Sequence, residues 1–309
     1  MRIATSTLTN MTTNSMSGAN ELYADIINKI ASNKNFTKVS ENPVDATKVL
    51  KLKDQLSQMD IYQSNIQAAM NEMDLAYDTL GAITDELTVI NSKIVEAANA
   101  TTTPESARAI AAEIEQRVLT IMDKMNTQYM DNYIFSGTYV QQIPYETGAD
   151  GSIEYKGSSE LAGDRKLTIS EGTTFTYNFT GEEIFGDQTV LDVDGNKTDF
   201  FSKMKKLNEL LTAPELDYGE IRKNLSVLDE TTKKITQAQG TVSAHVAKLE
   251  ATSEINTETI TKLTEDRVNL EEVDITKAAT ELASAQTALQ ASYLIGTNVL
   301  NSVSLLDYL

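Results

Sequence analysis

The sequence predicts a mainly α-helical fold, long antiparallel helices in a rod or bundle, with a β-rich insertion between them. Three observations carry that prediction. Leu52, Met59, Ile66, Met73, Leu80, Leu87 and Ile94 recur every seven residues. Ile221, Leu228, Ile235, Val242, Leu249, Asn256, Leu263 and Leu270 repeat the pattern later in the chain, with one polar member. Between the stripes the apolar period shortens, and glycines and β-forming residues become frequent. Sustained apolar heptads mean helices packed side by side with a slight left-handed supercoil. The companion positions four residues on, Leu56, Gln63, Met70, Tyr77, Thr84, Asn91 and Ala98, are mixed. That mixture fits a small bundle better than a strict two-stranded coiled coil.

Taken in order, the first element is a helix over residues 20–31, with Leu22, Tyr23, Ile26, Ile27 and Ile30 on one face. A polar, broken stretch follows. Ser40-Glu41-Asn42-Pro43-Val44-Asp45-Ala46 then reads as a helix start. Asn42 can cap, Pro43 suits the first helical position, and Asp45 favours the positive end of the helix dipole. The helix can run to about Ala98, a length of roughly 80 Å at 1.5 Å per residue. Thr103 and Pro104 restart a helix that carries Ile110, Ile114, Val118, Ile121 and Met125 and ends near Met130.

Tyr133–Gly137, Gly151–Tyr155, Lys166–Ile169 and Thr174–Phe179 alternate or are rich in β formers. Helical patterning returns at Thr198-Asp199-Phe200. Pro214 and Gly219 mark a short break before the second heptad helix, expected from about Asp217 to Glu265. A break at Glu271-Glu272-Val273-Asp274 precedes a last amphipathic segment, with Ile275, Leu282 and Leu289 seven apart, then Val299, Val303 and Leu306. The expected segments are therefore 1–40, 41–130, 131–198, 199–272 and 273–309. The first and last are short of charge and have no other core nearby, so an isolated pair should be marginal. They are expected to order as a coiled-coil pair on assembly.

The composition excludes several functions. A chain of 309 residues with a formal charge of −19 lacks the basic face of a nucleic-acid binder. It contains no cysteine, so no disulfide framework and no thiolate metal site. No apolar run is long enough to span a membrane, and the first twenty residues lack the apolar block of a cleaved secretion signal. His245 is the only histidine, beside Val246 on the second heptad helix, and reads as a solvated helix residue. Asp192-Val193-Asp194-Gly195-Asn196 places glycine fourth where a calcium loop needs it sixth, so a tight turn is expected. The pairs Glu182-Glu183 and Glu271-Glu272 have no partner that would make them an acid and base. Met59, Met70, Met73, Met122 and Met125 lie on helical faces and read as gap-filling core. No catalytic, cofactor or metal residue is expected, and the chain reads as a structural protein, not an enzyme.

Several motifs, in order along the whole chain, resemble the flagellin superfamily. They are Met1-Arg2-Ile3, Ser40–Ala46, Tyr133-Ile134-Phe135-Ser136-Gly137, Asp199-Phe200-Phe201 leading to Leu207 and Leu210, Asn269–Asp274, and the ending Ser304–Leu309. The stretch Ser32-Asn33-Lys34-Asn35-Phe36-Thr37-Lys38 departs from the usual filament-subunit turn and resembles the hook-associated branch. The resemblance implies an adaptor at the hook–filament junction, with a divergent filament subunit or a coiled-coil adhesin or secretion tip as alternatives. It implies an extracellular place in the bacterial flagellum, reached by type III export without signal cleavage. Implied partners are the preceding hook-associated protein, flagellin, copies of the chain in a ring, and an export chaperone. Intersubunit packing falls to Leu22, Ile26, Ile30, Ile275, Leu282, Leu289, Val299, Val303 and Leu306. The intramolecular bundle seam falls to Leu52, Met59, Ile66, Met73, Leu80, Leu87, Ile94, Ile221, Leu228, Ile235, Val242, Leu249 and Leu263. The β-rich segment would face outward.

Overall fold

A computed structural model describes residues 2–99, 101–158, 164–177, 179–191, 195 and 197–306, without the side chains of 2–5 and 300–306. Seven helices are described: α1 (Arg2–Ser32), α2 (Pro43–Ala97), α3 (Pro104–Met125), α4 (Gly181–Phe185), α5 (Phe200–Thr212), α6 (Tyr218–Glu271) and α7 (Ile275–Leu306). Six short strands are β1 (Gln128–Tyr129), β2 (Asn132–Tyr133), β3 (Tyr145–Thr147), β4 (Ile153–Tyr155), β5 (Arg165–Ser170) and β6 (Thr173–Tyr177). Packing divides the chain into a central unit, Asp60–Asn256, and a terminal unit, Met1–Met59 with Thr257–Leu309. Helices α2 and α6 each contribute residues to both.

In the central unit α2 and α6 run antiparallel. Gln63 bonds Ser253, Gln239 reaches the Tyr77 carbonyl, and Arg222 reaches that of Ala98. The pairs Glu86–Arg117 and Lys93–Glu113 set α3 antiparallel to α2. The heptad residues Ile66, Met73, Leu80, Leu87 and Ile94 are buried, as are Ile221, Leu228, Ile235, Val242 and Leu249. The companion seam of α2 lies three residues on, at Ala69, Ala76, Ile83, Ile90 and Ala97, all buried. The positions four residues on are half-buried or exposed, apart from Ala98. Expected as mixed, the companion seam is therefore wholly apolar. Its alanines let neighbouring helices approach closely.

Local chemistry explains the element ends. The Asp45 N–H donates to Asn42 Oδ1 at 3.1 Å, and the Ser106 N–H to Thr103 Oγ1 at 3.2 Å. Helix α3 stops at Met125, five residues before the expected Met130, because Asn126 turns its side chain to strand β3. Its Nδ2 donates to the Tyr145 carbonyl, and its Oδ1 accepts from the Tyr145 N–H, each at 2.9 Å. Met130 and Asp131 instead take φ of 47° and 65° at the tip of the β1–β2 hairpin, the two left-handed residues that a tight hairpin needs. Helix α6 continues six residues past the expected Glu265, and α1 begins at Arg2 instead of near residue 20.

The strands pair as three separate antiparallel hairpins, β1–β2, β3–β4 and β5–β6. A lone hairpin is marginal in water, and here Phe135, Tyr145, Ile169, Phe175 and Tyr177 join the helices' own core. Helix side chains fasten the β5–β6 hairpin. Glu72 on α2 takes both Arg165 and the Tyr177 hydroxyl, and Arg165 lies over the Tyr177 ring. Asn65 donates to the Thr168 carbonyl at 2.9 Å, and Asn256 to that of Ile169 at 2.8 Å. His245 is half-buried, not solvated: its ring meets Phe175 edge-on at 5.1 Å and Phe179 at 6.5 Å. Burial and then nearby Lys248 push its pKa down. Gly195 has φ of 81° beside a Leu191–Lys197 bridge; the rest of the expected 192–196 turn lies outside the described residues.

Candidate assembly surface

The terminal unit is built on α1 and α7, which pair with each other. On α1 the covered side chains are Thr9, Thr12, Met16, Ala19, Tyr23, Ile26 and Ile30; on α7 they are Ala278, Leu282, Ala285, Leu289, Ser292, Gly296 and Val299. Steps of three and four alternate along both, the spacing of a coiled-coil seam. Met16 lies so close to Gly296 that a Cβ there would come within 2.8 Å of its sulfur. Small residues on α7 permit that approach.

The predicted packing residues divide accordingly. Ile26 is buried, and Ile30, Leu282, Leu289 and Val299 are half-buried. Leu22 is 53% exposed and Ile275 51%, so both lie off the seam, whose places are taken by Tyr23 and Ala278. The side chains of Val303 and Leu306 lie outside the described residues. Of the predicted bundle seam, Leu52, Met59 and Leu263 are half-buried and the rest are buried.

Sequence reasoning missed the seam members Thr9, Thr12, Met16, Ala19, Ala278, Ala285, Ser292 and Gly296, since small and hydroxyl residues give little apolar signal. Of the exposed apolar side chains around them it singled out Leu22 and Ile27 and missed the others. Leu8, Met11 (66% exposed), Leu22 and Ile27 on α1 and Tyr293, Leu294 (66%) and Ile295 on α7 face outward. Exposed apolar residues gathered on two paired helices mark an interaction surface. Each side chain of this size would gain ~1.5–3 kcal/mol if fully covered.

A clamp closes the base of the pair. The Glu271 carboxylate, 6% exposed, accepts from Lys53 at 2.7 Å, Lys34 at 3.0 Å and Arg267 at 3.1 Å. Burial alone would push its pKa up; the bonds from Lys53, Lys34 and Arg267 outweigh that and hold it at about 2. Asn33 takes φ of 53°, which turns the chain out of α1. The Asn35 N–H donates to the Glu271 carbonyl at 2.8 Å and its side-chain amide to the Glu272 carbonyl at 2.7 Å. Among the described residues no helix is long and apolar enough to cross a membrane, and no three acidic or imidazole groups are placed to hold a metal.

Two family models match the sequence: the bacterial flagellin N-terminal helical region over residues 3–140 and the C-terminal helical region over 225–309. The flagellar hook-associated protein 3 of Salmonella typhimurium is 23% identical over 97% of each chain. A solved structure described as a flagellar hook-associated protein from Vibrio parahaemolyticus superposes with a TM-score of 0.66 at 20% identity, covering 75% of this chain and all of the other. The flagellar hook-associated protein-3 from Legionella pneumophila gives 0.62 at 15% identity, covering 72% of this chain and 98% of the other. With flagellin regions matched at both ends and hook-associated proteins matched in fold, the chain belongs to the flagellin superfamily.

Proposed function

We propose that this chain is a structural component of the bacterial flagellum, the adaptor at the hook–filament junction. The observation that carries the proposal is the α1–α7 pair. Its seam has the spacing of a coiled coil, yet most of its members are only half-covered, and apolar side chains flank it on both helices. A two-helix pair with open sides gains its remaining burial from neighbours, and that gain offsets the cost of ordering the ends. Leu22, Ile26, Ile30, Ile275, Leu282, Leu289, Val299, Val303 and Leu306 are assigned to packing between subunits. Leu22 and Ile275, exposed in the single chain, make that contact only with a neighbour.

The partners follow from the same reading. Axial proteins of the flagellum lie on either side, a hook-associated protein before this chain and flagellin after it, with copies of the chain in a ring between. An adaptor between two lattices needs different contacts above and below. Export is through the flagellar type III channel without signal cleavage, helped by a chaperone that covers the apolar ends. Near-full-length similarity to hook-associated protein 3 of Salmonella typhimurium supports the junction over the filament.

Deletion of the gene tests the proposal. The expected phenotype is intact hooks without filaments, and unassembled flagellin in the medium. Short or absent hooks would overturn it. Growth of the purified chain into long filaments would make it a filament subunit instead.

A further inference from the structure

We infer that Glu271 is a positioning residue: its clamp holds the roots of α1 and α7 together before those helices are ordered, so assembly meets both chain ends as one unit. The inference rests on the proposed assembly of the ends and adds a device to it. The bonds come from Asn33, Lys34, Asn35, Lys53, Arg267 and residues 270–273. None of these belongs to α1 or α7, so the clamp can be shut while both helices are open.

The clamp joins residues as far apart in sequence as Asn35 and Glu272, a separation of 237. Closing such a loop costs entropy that the α1–α7 seam would otherwise meet by itself. With the roots already joined, pairing becomes an event at high effective concentration. The carboxylate is the hub of the arrangement. Lys34 and Lys53 share one of its oxygens and Arg267 takes the other. Without its charge, three cations face one another around a neutral group, and all three are driven apart.

Trypsin on the dilute full-length chain tests this. Lys29 lies in α1, outside the clamp, while Lys34 and Arg267 lie within it. Cutting after Lys29 should outpace cutting after Lys34 and Arg267 by about tenfold or more. Glu271→Gln should bring the two clamp sites to the Lys29 rate. Glu272→Gln, which neutralises the neighbouring carboxylate, bonded by the Asn33 amide at 3.5 Å, should leave them slow, and Glu271→Asp should fall between. Cutting after Arg117, held in the central unit by Glu86 and Glu113, reports any general unfolding. If it rises in the Gln variant, the Asp variant decides. Equal rates at Lys29 and Lys34 in the unaltered chain, or clamp sites that stay slow without the charge, would overturn the inference. Loss of the junction role in the deletion strain would leave this cleavage ratio untouched, so the two ideas fail separately.

Discussion

Two heptad seams in this chain obey the same spacing and end up differently covered. Along α2 every seam residue from Ile66 to Ala97 is buried. Along α1 and α7 only Ile26, Ala278, Ala285 and Gly296 are buried, and the other members are half-covered. Composition explains part of the difference, since four of the seven α7 seam members, Ala278, Ala285, Ser292 and Gly296, are small. The larger part is the number of neighbours. In the central unit α2 has α3, α6 and the β5–β6 hairpin against it. In the terminal unit α1 and α7 have chiefly each other. A seam specifies a direction of contact; how far it is buried depends on how many surfaces arrive there.

That contrast can be broken or sharpened by substitution. Ile83→Ala, in the fully buried seam, should lower the stability of the isolated chain by about 2–5 kcal/mol in urea unfolding. A loss near zero would show that the α2 core is loose. Gly181→Ala sets a Cβ within 2.3–2.7 Å of the Tyr145 ring, which is buried among Tyr155, Phe185 and Phe201. Overpacking there should cost ~1–3 kcal/mol by the same assay.

Acid should act on the terminal unit first. Glu271 sits at about 2 in the folded chain, against ~4.3 for an unperturbed glutamate. Its folded pKa is the lower one, so the stabilisation is complete above the unfolded value and is lost as pH falls from there toward 2. Exchange of the Asn35 amide, relative to its intrinsic rate, should rise over that window. Protection that persists at pH 2.5 would contradict the assignment.

Smaller effects belong to the half-covered seam. Leu282→Ala should cost under ~1 kcal/mol in the dilute chain, yet reduce incorporation into flagella. An equal loss to that of Ile83→Ala would erase the distinction between the two seams. Gly296→Ala meets the flexible end of Met16 at 2.8 Å and the Thr12 methyl at 3.7 Å; moving Met16 aside offsets much of the ~1 kcal/mol gain in helix propensity, so the net change in stability should be a few tenths of a kcal/mol.

Much of the fold was legible because its signals are local. Asn42 and Thr103 announce their caps, and the seven-residue stripe survives intact in the core. The alanine seam of α2 was hidden because Ala69, Ala76 and Ala97 read weakly beside Leu56 and Met70 four residues on. The first half of α1 was hidden by its threonines, serines and asparagines. Hydroxyls here bond carbonyls one turn back, Thr12 to Leu8 at 2.8 Å and Thr13 to Thr9 at 3.0 Å. The clamp left little trace in sequence beyond the one-turn spacing of Arg267 and Glu271. Nothing in the pair Glu271-Glu272 says that one of the two carboxylates gathers three cations, since only Arg267 lies near in sequence, one helical turn back, while Lys34 and Lys53 come from the other end of the chain. His245 was misread for the same reason: its aromatic neighbours, Phe175 on the β5–β6 hairpin and Phe179 just after it, are remote in sequence.

Asn256 interrupts an otherwise apolar stripe, and its amide meets the Ile169 carbonyl. A strictly periodic stripe looks the same after a slip of one heptad, so apolar packing alone leaves the helix free to be mistaken about its own position. A slip would set Leu249 or Leu263 opposite that carbonyl and leave a buried acceptor unmet, at about 1–3 kcal/mol. The single polar member is thus an index mark on a ruler with identical divisions. It makes one alignment of α6 distinguishable from its neighbours, and the hairpin that reads it lies midway along the chain, between the two helices being aligned.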